Sequence, residues 1–528
     1  MNPVSPRCAG LSVSLIVGLL LASFTVRADV RLPGIFSDNM ILQRDLPLTF
    51  WGWADENEQV TVEFQGQKAT ATAFRQLPNP LSRWQVKIGP FNASAAPASL
   101  IVQGRNKLER KNVLVGDVWI CTGQANMELP LNKSADGEKD AAASHPLIRL
   151  FTVPRVKANE PATDLRVAWQ ECRTPGGFSA VGYYFGRDLQ KAVGVPVGLI
   201  GAYYVGTPTE AWATRSSING HAELRRDFAG RFERMRGDYA AAVQKFNSEV
   251  EEMKKQGKRP TSPPPKPPVL PAWQGAELFN GMVAPLVPYG IRGVITYQGE
   301  VNADRAAQYC VLFPELIKGW REAWGQGDFT FLAVQLAPFD KNRNRTLEQI
   351  TADPEDSDWA RLREAQSLAA KTVPNYALVT TTDLGERDDI TPAQKEPVGA
   401  RLALAARAVA YGEKLVFSGP AFKEMAVQGE KIIVRFDHVG AGLEARGGKL
   451  TGFAVCGQDK KFVWADAQIQ PDNTVIVSAS AVPKPVAVRF GWADFPVVNL
   501  FNKDGLPASP FRTDTFPPSA PPATPKKQ

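Results

Sequence analysis

Between Val113 and Gly412 the chain alternates short apolar runs with longer segments of helical period, and this alternation restricts the fold more than any other feature. The runs Val118–Cys121, Val197–Tyr204, Gly293–Tyr297, Thr330–Gln335 and Tyr376–Thr381 have strand length and are bounded by turn residues. Ala180–Val193, Phe313–Trp324, Trp359–Lys371 and Gln394–Tyr411 repeat their apolar residues at helical spacing. Strands separated by whole helices cannot pair as hairpins, so the pattern predicts an α/β unit built on a doubly wound, mostly parallel sheet. Such sheets bind their ligands beyond the C-terminal ends of the strands.

The flanks follow a different period. Residues 29–112 alternate apolar and polar positions, as in Leu48–Trp53, Val60–Phe64, Trp84–Ile88 and Leu100–Val102, and read as an N-terminal β-sandwich. Trp51, Trp53 and Trp84 are expected to fill its core. Residues 413–495 return to the two-residue period at Lys431–Phe436, Phe453–Val455 and Thr474–Val477, predicting a second β-domain. Residues 496–515 are expected to return and pack on the α/β unit, and 516–528, rich in proline and polar residues, to be disordered. Within the α/β unit, 221–272 is an insertion: a densely charged helical stretch, then the proline-rich run Pro260–Pro268, together read as a surface helix and a stiff linker. A chain of 528 residues exceeds what one core supports, and two to four domains are expected.

Residues 1–28 carry Arg7, an apolar run from Leu11 to Phe24, and Val26-Arg27-Ala28. The run is short for a membrane span and has the layout of a signal peptide cut after Ala28, so the protein is expected to be exported, periplasmic or extracellular, and without a membrane anchor. The formal charge of +7, two units of which leave with Arg7 and Arg27, is a mild surplus over this length and excludes a nucleic-acid footprint. Cys121, Cys172, Cys310 and Cys456 are widely spaced and form no metal-type pairs, and no metal or cofactor is expected. Cys121 reads as core, whereas a Cys172–Cys310 disulfide is left open by the sequence.

The chemistry points to Asp117–Glu128, where an apolar strand meets Gly123 and turns into a short helix. Strand end, glycine turn and helix start are where α/β hydrolytic folds carry a nucleophile. Five further segments, in order along the chain, carry a resemblance: Leu32–Gln43, Gly206-Thr-Pro-Thr-Glu-Ala-Trp212, Asn280-Gly-Met-Val-Ala-Pro-Leu286, Tyr297-Gln-Gly-Glu300 and Asn499-Leu-Phe-Asn502. Over nearly its whole length after the leader, the chain resembles the secreted sialate O-acetylesterases, which have the SGNH-type hydrolase fold. The resemblance implies esterase ancestry, with acetylated sialic acids or related acetylated glycans as ligand or substrate.

Such an esterase needs a serine nucleophile, a histidine base, an acid that orients the histidine, and donors for the oxyanion. The family motif Gly-Gln-Ser-Asn-Met is here Gly123-Gln124-Ala125-Asn126-Met127, and the family's Asp-Ile-His-Pro type motif is here Asp388-Asp389-Ile390-Thr391-Pro392. Ala125 thus stands at the nucleophile position and Thr391 at the histidine position, while Asp388 or Asp389 retains the acid. Gly206, Gln298 and Asn302 correspond to residues able to offer oxyanion donors, and Gln124, Asn126 and Glu300 belong to the pocket motifs. His145, His221 and His438, the only histidines, fall away from the strand-end loops. Tyr204-Val205, Thr296 and Val301 also depart from the family's Trp-Gly, Trp and Ser. The sequence therefore predicts a catalytically impaired glycan-binding homologue. The alternatives are an enzyme using carboxylate chemistry through Glu300, Asp388 and Asp389, or a purely structural exported protein whose cleft Val205 and Val301 fill.

Overall fold

A computed structural model describes residues 29–75, 82–259, 262–269, 271–341 and 345–516. The signal peptide expected over 1–28, parts of the proline-rich run, and nearly all of the expected C-terminal tail lie outside the described residues.

The α/β unit is organised on seven strands: β1 (Lys107–Gly123), β2 (His145–Thr152), β3 (Gln170–Cys172), β4 (Val197–Tyr203), β5 (Gly293–Tyr297), β6 (Thr330–Val334) and β7 (Tyr376–Val379). Their spatial order is β3-β2-β4-β1-β5-β6-β7, parallel throughout except for the edge pair β2–β3. The doubly wound α/β expectation is met. Every residue of β4, β5 and β6 is buried, as continuous apolar strands covered on both faces must be. The register places Tyr203 of β4 and Tyr297 of β5 directly beside Gly123 of β1, so three strands end level at one point.

The helices that cover the sheet are α1 (Ala125–Glu128), α2 (Ala180–Val193), α3 (Ala306–Trp324), α4 (Asp358–Thr372) and α5 (Glu396–Val409). The Ser179 side chain accepts from Gly182 N at 3.0 Å to cap α2, and Gly194 (φ +69°) ends it. At Gly399, α5 packs against α2 so closely that a Cβ would stand 2.5 Å from Cβ of Tyr184. Helix α3 begins seven residues before the predicted Phe313 and carries Pro314 inside it. A proline reads locally as a helix start, and here packing of the apolar face overrides that signal.

The boundary placed at 112/113 falls inside β1. Its first six residues alternate between exposed and half-buried, and the remaining eleven are all buried. One strand therefore serves both the N-terminal β-unit and the α/β sheet, giving an eleven-stranded sheet through pairing with Ile41–Gln43 and Ser94–Gln103. The second layer of the N-terminal unit is Leu48–Ala54, Phe74–Arg75 and Ser82–Ile88, and Trp51, Trp53 and Trp84 are all buried in it.

The joint is tied by Asp117, fully buried on β1. It accepts from Arg44 Nε and Nη2 at 3.0 Å each, from Gln43 Nε2 at 3.1 Å and from the Tyr411 hydroxyl at 2.8 Å. That bidentate contact raises the Arg44 guanidinium above its ordinary pKa.

The C-terminal β-unit comprises two four-stranded sheets around Phe453, Phe490 and Phe511. Residues 496–515 touch the α/β unit, through Thr380 and Ser509 hydroxyls 2.7 Å apart and an Arg512–Glu364 ion pair at 2.9 Å. They also complete the C-terminal unit, since Leu500–Asn502 pairs with Leu443–Ala445 and Phe511–Arg512 with Ala487–Phe490. The charged insertion forms the exposed helix Arg231–Lys255. Cys172 is buried, Cys310 is exposed, and both are free thiols, so the open question of their pairing resolves to no disulfide. Among the described residues no helix is long and apolar enough to cross a membrane.

Candidate functional site

Gly123 ends β1 with φ +144°, where a Cβ would stand 2.1 Å from the Tyr297 carbonyl oxygen. Only glycine permits β1 to turn this close to β5. The turn is fixed on both sides: Gln124 N donates to Tyr297 O at 3.2 Å, and Tyr204 N donates to Gly123 O at 3.0 Å. Ala125 is the first residue of α1, at the level where the three strands end.

Beside it opens a cleft of about 450 Å³ whose walls include Ala125, Thr391, Arg155, Glu128, Tyr203 and Val205. The positions matched to nucleophile and histidine thus face one cleft, although 266 residues of folding separate them. No serine, cysteine or histidine is among its lining residues. His145 contacts the Tyr183 hydroxyl at 2.9 Å, His438 packs on Phe417, and His221 opens the charged insertion. Burial holds the His145 imidazole below its ordinary pKa.

The acids do not converge on this cleft. Asp389 accepts from Thr391 N at 2.8 Å and so shapes its own loop. Asp388 pairs with Arg387 on the exposed side of that loop at 2.6 Å. Glu300 accepts from Asn126 Nδ2 at 2.7 Å with one oxygen and from Gln124 Nε2 with the other. Burial raises its pKa, offset in part by these bonds. Glu300 is therefore the fastener between the β5 loop and the turn before α1, and none of Glu300, Asp388 and Asp389 is among the lining residues of the cleft.

The amides of two expected oxyanion donors are engaged by the loop after β4. Asn302 donates to Glu210 Oε2 at 2.9 Å and accepts from Thr209 N and Oγ1, while Gln298 Nε2 donates to Thr207 O at 2.8 Å. Both amides hold the loop after β4 in place, and neither residue lines the cleft. Gly206 lies exposed in that loop with φ +70° and is also absent from the lining. Val205 does line it, and its N–H is committed to Glu128 Oε2 at 2.6 Å. The other oxygen of Glu128 pairs with Arg155, whose guanidinium lies 5.5 Å over the Tyr204 ring.

Sequence reasoning missed Lys395. It is fully buried, its Nζ donates to Asn126 Oδ1 at 2.6 Å, and Asn126 Nδ2 in turn donates to Ile390 O at 2.9 Å. Gln124, Asn126 and Lys395, all buried, form with the half-buried Glu300 one cluster behind Ala125, joining the β1 turn, the β5 loop and the segment that carries Thr391. A lysine one residue before a helix ordinarily reads as solvated surface, and nothing local marks this one. Burial lowers its pKa to about 7, against the raising influence of Glu300, Asp389 and Glu386.

This has a measurable consequence. Between about pH 7 and 10.5 the unfolded chain holds the Lys395 proton and the folded chain has lost it, so stability rises with pH across that window. Denaturant titrations of wild type are expected to gain at most about 4 kcal/mol from pH 7 to 10 relative to Lys395→Met. Parallel pH profiles for the two proteins would contradict it.

Known proteins share this architecture. Residues 270–408 match the family described as carbohydrate esterase, sialic acid-specific acetylesterase. The sialate O-acetylesterase of Rattus norvegicus is 29% identical over 561 residues, covering 96% of this chain and 98% of that protein. The human sialate O-acetylesterase is 27% identical over 545 residues, covering 95% of this chain and 96% of that protein. A crystal structure of a carbohydrate acetylesterase from Xanthomonas citri superposes with a TM-score of 0.76 at 36% identity, covering 92% of this chain and all of that one. End-to-end coverage at this identity, over a sheet whose strands end level at the Gly123 turn, makes the chain a member of the sialate O-acetylesterase family of carbohydrate esterases.

Proposed function

We propose that this protein is an exported glycan-binding member of the family that has lost acetyl-ester hydrolysis. The observation that carries the reading is that Ala125 and Thr391 line one cleft together, and that the cleft offers neither an activated nucleophile nor a base. A threonine hydroxyl without a general base is a weak nucleophile at neutral pH. The cleft volume of about 450 Å³ suits one sugar ring, and Arg155 at its wall, half-exposed beside its ion pair with Glu128, offers its remaining N–H groups to an acidic or acetylated sugar. Export rests on the leader-like composition of residues 1–28.

The supporting experiment is a pair of measurements on purified wild-type protein. Hydrolysis of 4-methylumbelliferyl acetate and of 9-O-acetyl-N-acetylneuraminic acid is expected to stay at the buffer background. Calorimetric titration with the same acetylated sialic acid is expected to show binding that Arg155→Ala weakens about tenfold. Turnover in the wild type that a cleft substitution abolishes would overturn the loss of hydrolysis. No heat with any acetylated glycan would instead favour the structural role.

A further inference from the structure

A larger cavity, of about 560 Å³, opens where the C-terminal β-unit meets the α/β unit. It shares no lining residue with the cleft at Ala125. One wall is Trp464, on the short strand Val463–Trp464 that pairs with Phe453–Cys456. Trp464 is 39% exposed, unusual for a residue of this size, yet it is not loose: its indole N–H donates to Thr351 O at 2.8 Å, reaching across to the helix Leu347–Thr351 of the other unit. A wide apolar ring is thereby held at the cavity with its one polar atom already satisfied.

A second wall is Trp492, 5% exposed, whose indole N–H has no acceptor among the described residues. A buried donor left unpaired costs roughly 1–3 kcal/mol unless something supplies an acceptor. Lys449 and Asp466, an exposed ion pair, stand at the rim. The floor is rigid. Asp494, within the segment that lines the cavity from Gly491 to Val498, accepts from the Ser357 hydroxyl at 2.6 Å.

A fixed exposed aromatic ring and a charged rim around an apolar hollow match an amphipathic ligand with an apolar face and a hydroxylated edge. We propose that this cavity is a second, non-catalytic glycan-binding site, in which a pyranose stacks its C–H face on Trp464 and presents hydroxyls to Lys449 and Asp466. The volume lies within the roughly 300–1,000 Å³ of small-molecule sites, enough for one or two sugar rings. The inference does not rest on the reading of the Ala125 cleft, because the two sites are lined by separate residues.

The test titrates full-length protein with the neutral oligosaccharides xylohexaose, cellohexaose, mannohexaose and maltohexaose by calorimetry. At least one is expected to bind, with Trp464→Ala weakening it about tenfold or more and Trp464→Phe, which restores a ring, within about threefold of wild type. Arg155→Ala, in the other cleft, is expected to leave this binding unaltered. Should Trp464→Ala fail to fold, Asp466→Ala at the exposed rim takes its place, with about a fivefold loss expected. Binding by none of the four probes, binding indifferent to Trp464 and Asp466, or binding lost in Arg155→Ala would each overturn the proposal.

Discussion

The double variant Ala125→Ser, Thr391→His is expected to hydrolyse 4-methylumbelliferyl acetate about 10³–10⁴ times faster than wild type. Losing serine or histidine from a complete serine-hydrolase site costs on the order of 10⁶ in turnover. The recovery here is set lower because the donors are not all poised. The Val205 N–H is held by Glu128, and the Asn302 and Gln298 amides are held by the loop after β4. One absent oxyanion donor costs roughly 10²–10³. Ala125→Ser alone is expected to gain little, since the new hydroxyl has no base beside it. Initial rates for the three proteins decide the matter. A double variant no faster than wild type would mean that the cleft does not bring positions 125 and 391 into reacting distance. In that case the shared lining is proximity without alignment.

The largest stability effect is expected at Arg363, a fully buried residue of α4. Its guanidinium donates to four carbonyls: Leu336 and Ala337 in the loop after β6, at 2.7 and 3.1 Å, and Ala493 and Asp494 in the C-terminal β-unit, at 2.8 and 3.0 Å. Burial pulls its pKa down to about 9, so the charge itself is costly. Replacing a buried charge by an apolar side chain can be neutral when its partners leave with it. Here the partners are main-chain oxygens that stay behind. Arg363→Met is therefore expected to lose about 3–5 kcal/mol in urea titration, and Arg363→Lys, which serves fewer of the oxygens, to fall between. A midpoint unchanged in Arg363→Met would show that water reaches those carbonyls.

What the sequence disclosed follows from how local each cause is. The strands β4, β5 and β6 were legible because a strand covered on both faces must be apolar at every position. The turn at Gly123 was legible because strand, glycine and helix start are contiguous. The start of α3 was placed seven residues late, and the packing that carries the helix back past Pro314 is distant in sequence. The matching of Ala125 and Thr391 rested on family motifs; their meeting in one cleft is a product of the sheet register. Lys395 and Arg363 were invisible for a plainer reason. Charged residues in a helical segment look like surface, and the partners that hold these two inside lie far along the chain, Asn126 at 269 residues from Lys395 and Ala493 at 130 from Arg363. The bonds of Gln298 and Asn302 were likewise unreadable, because an amide's sequence position does not say which of several loops it will hold.

The sharing of β1 between two units bears on how the protein can be taken apart. Seventeen residues run without interruption from the edge of the N-terminal layer to the Gly123 turn, and the Asp117 network grips that strand from Gln43, Arg44 and Tyr411. The N-terminal unit is thus no detachable module. A fragment beginning at residue 113 would keep the whole apparatus around Ala125 in its sequence, yet it would forfeit the lead-in of its own middle strand and bare the flank where Ile41–Gln43 pairs. Trimming, domain exchange or fusion at that seam cuts through the beam that supports the turn, whereas the exposed helix Arg231–Lys255 offers a place to splice that carries none of the sheet.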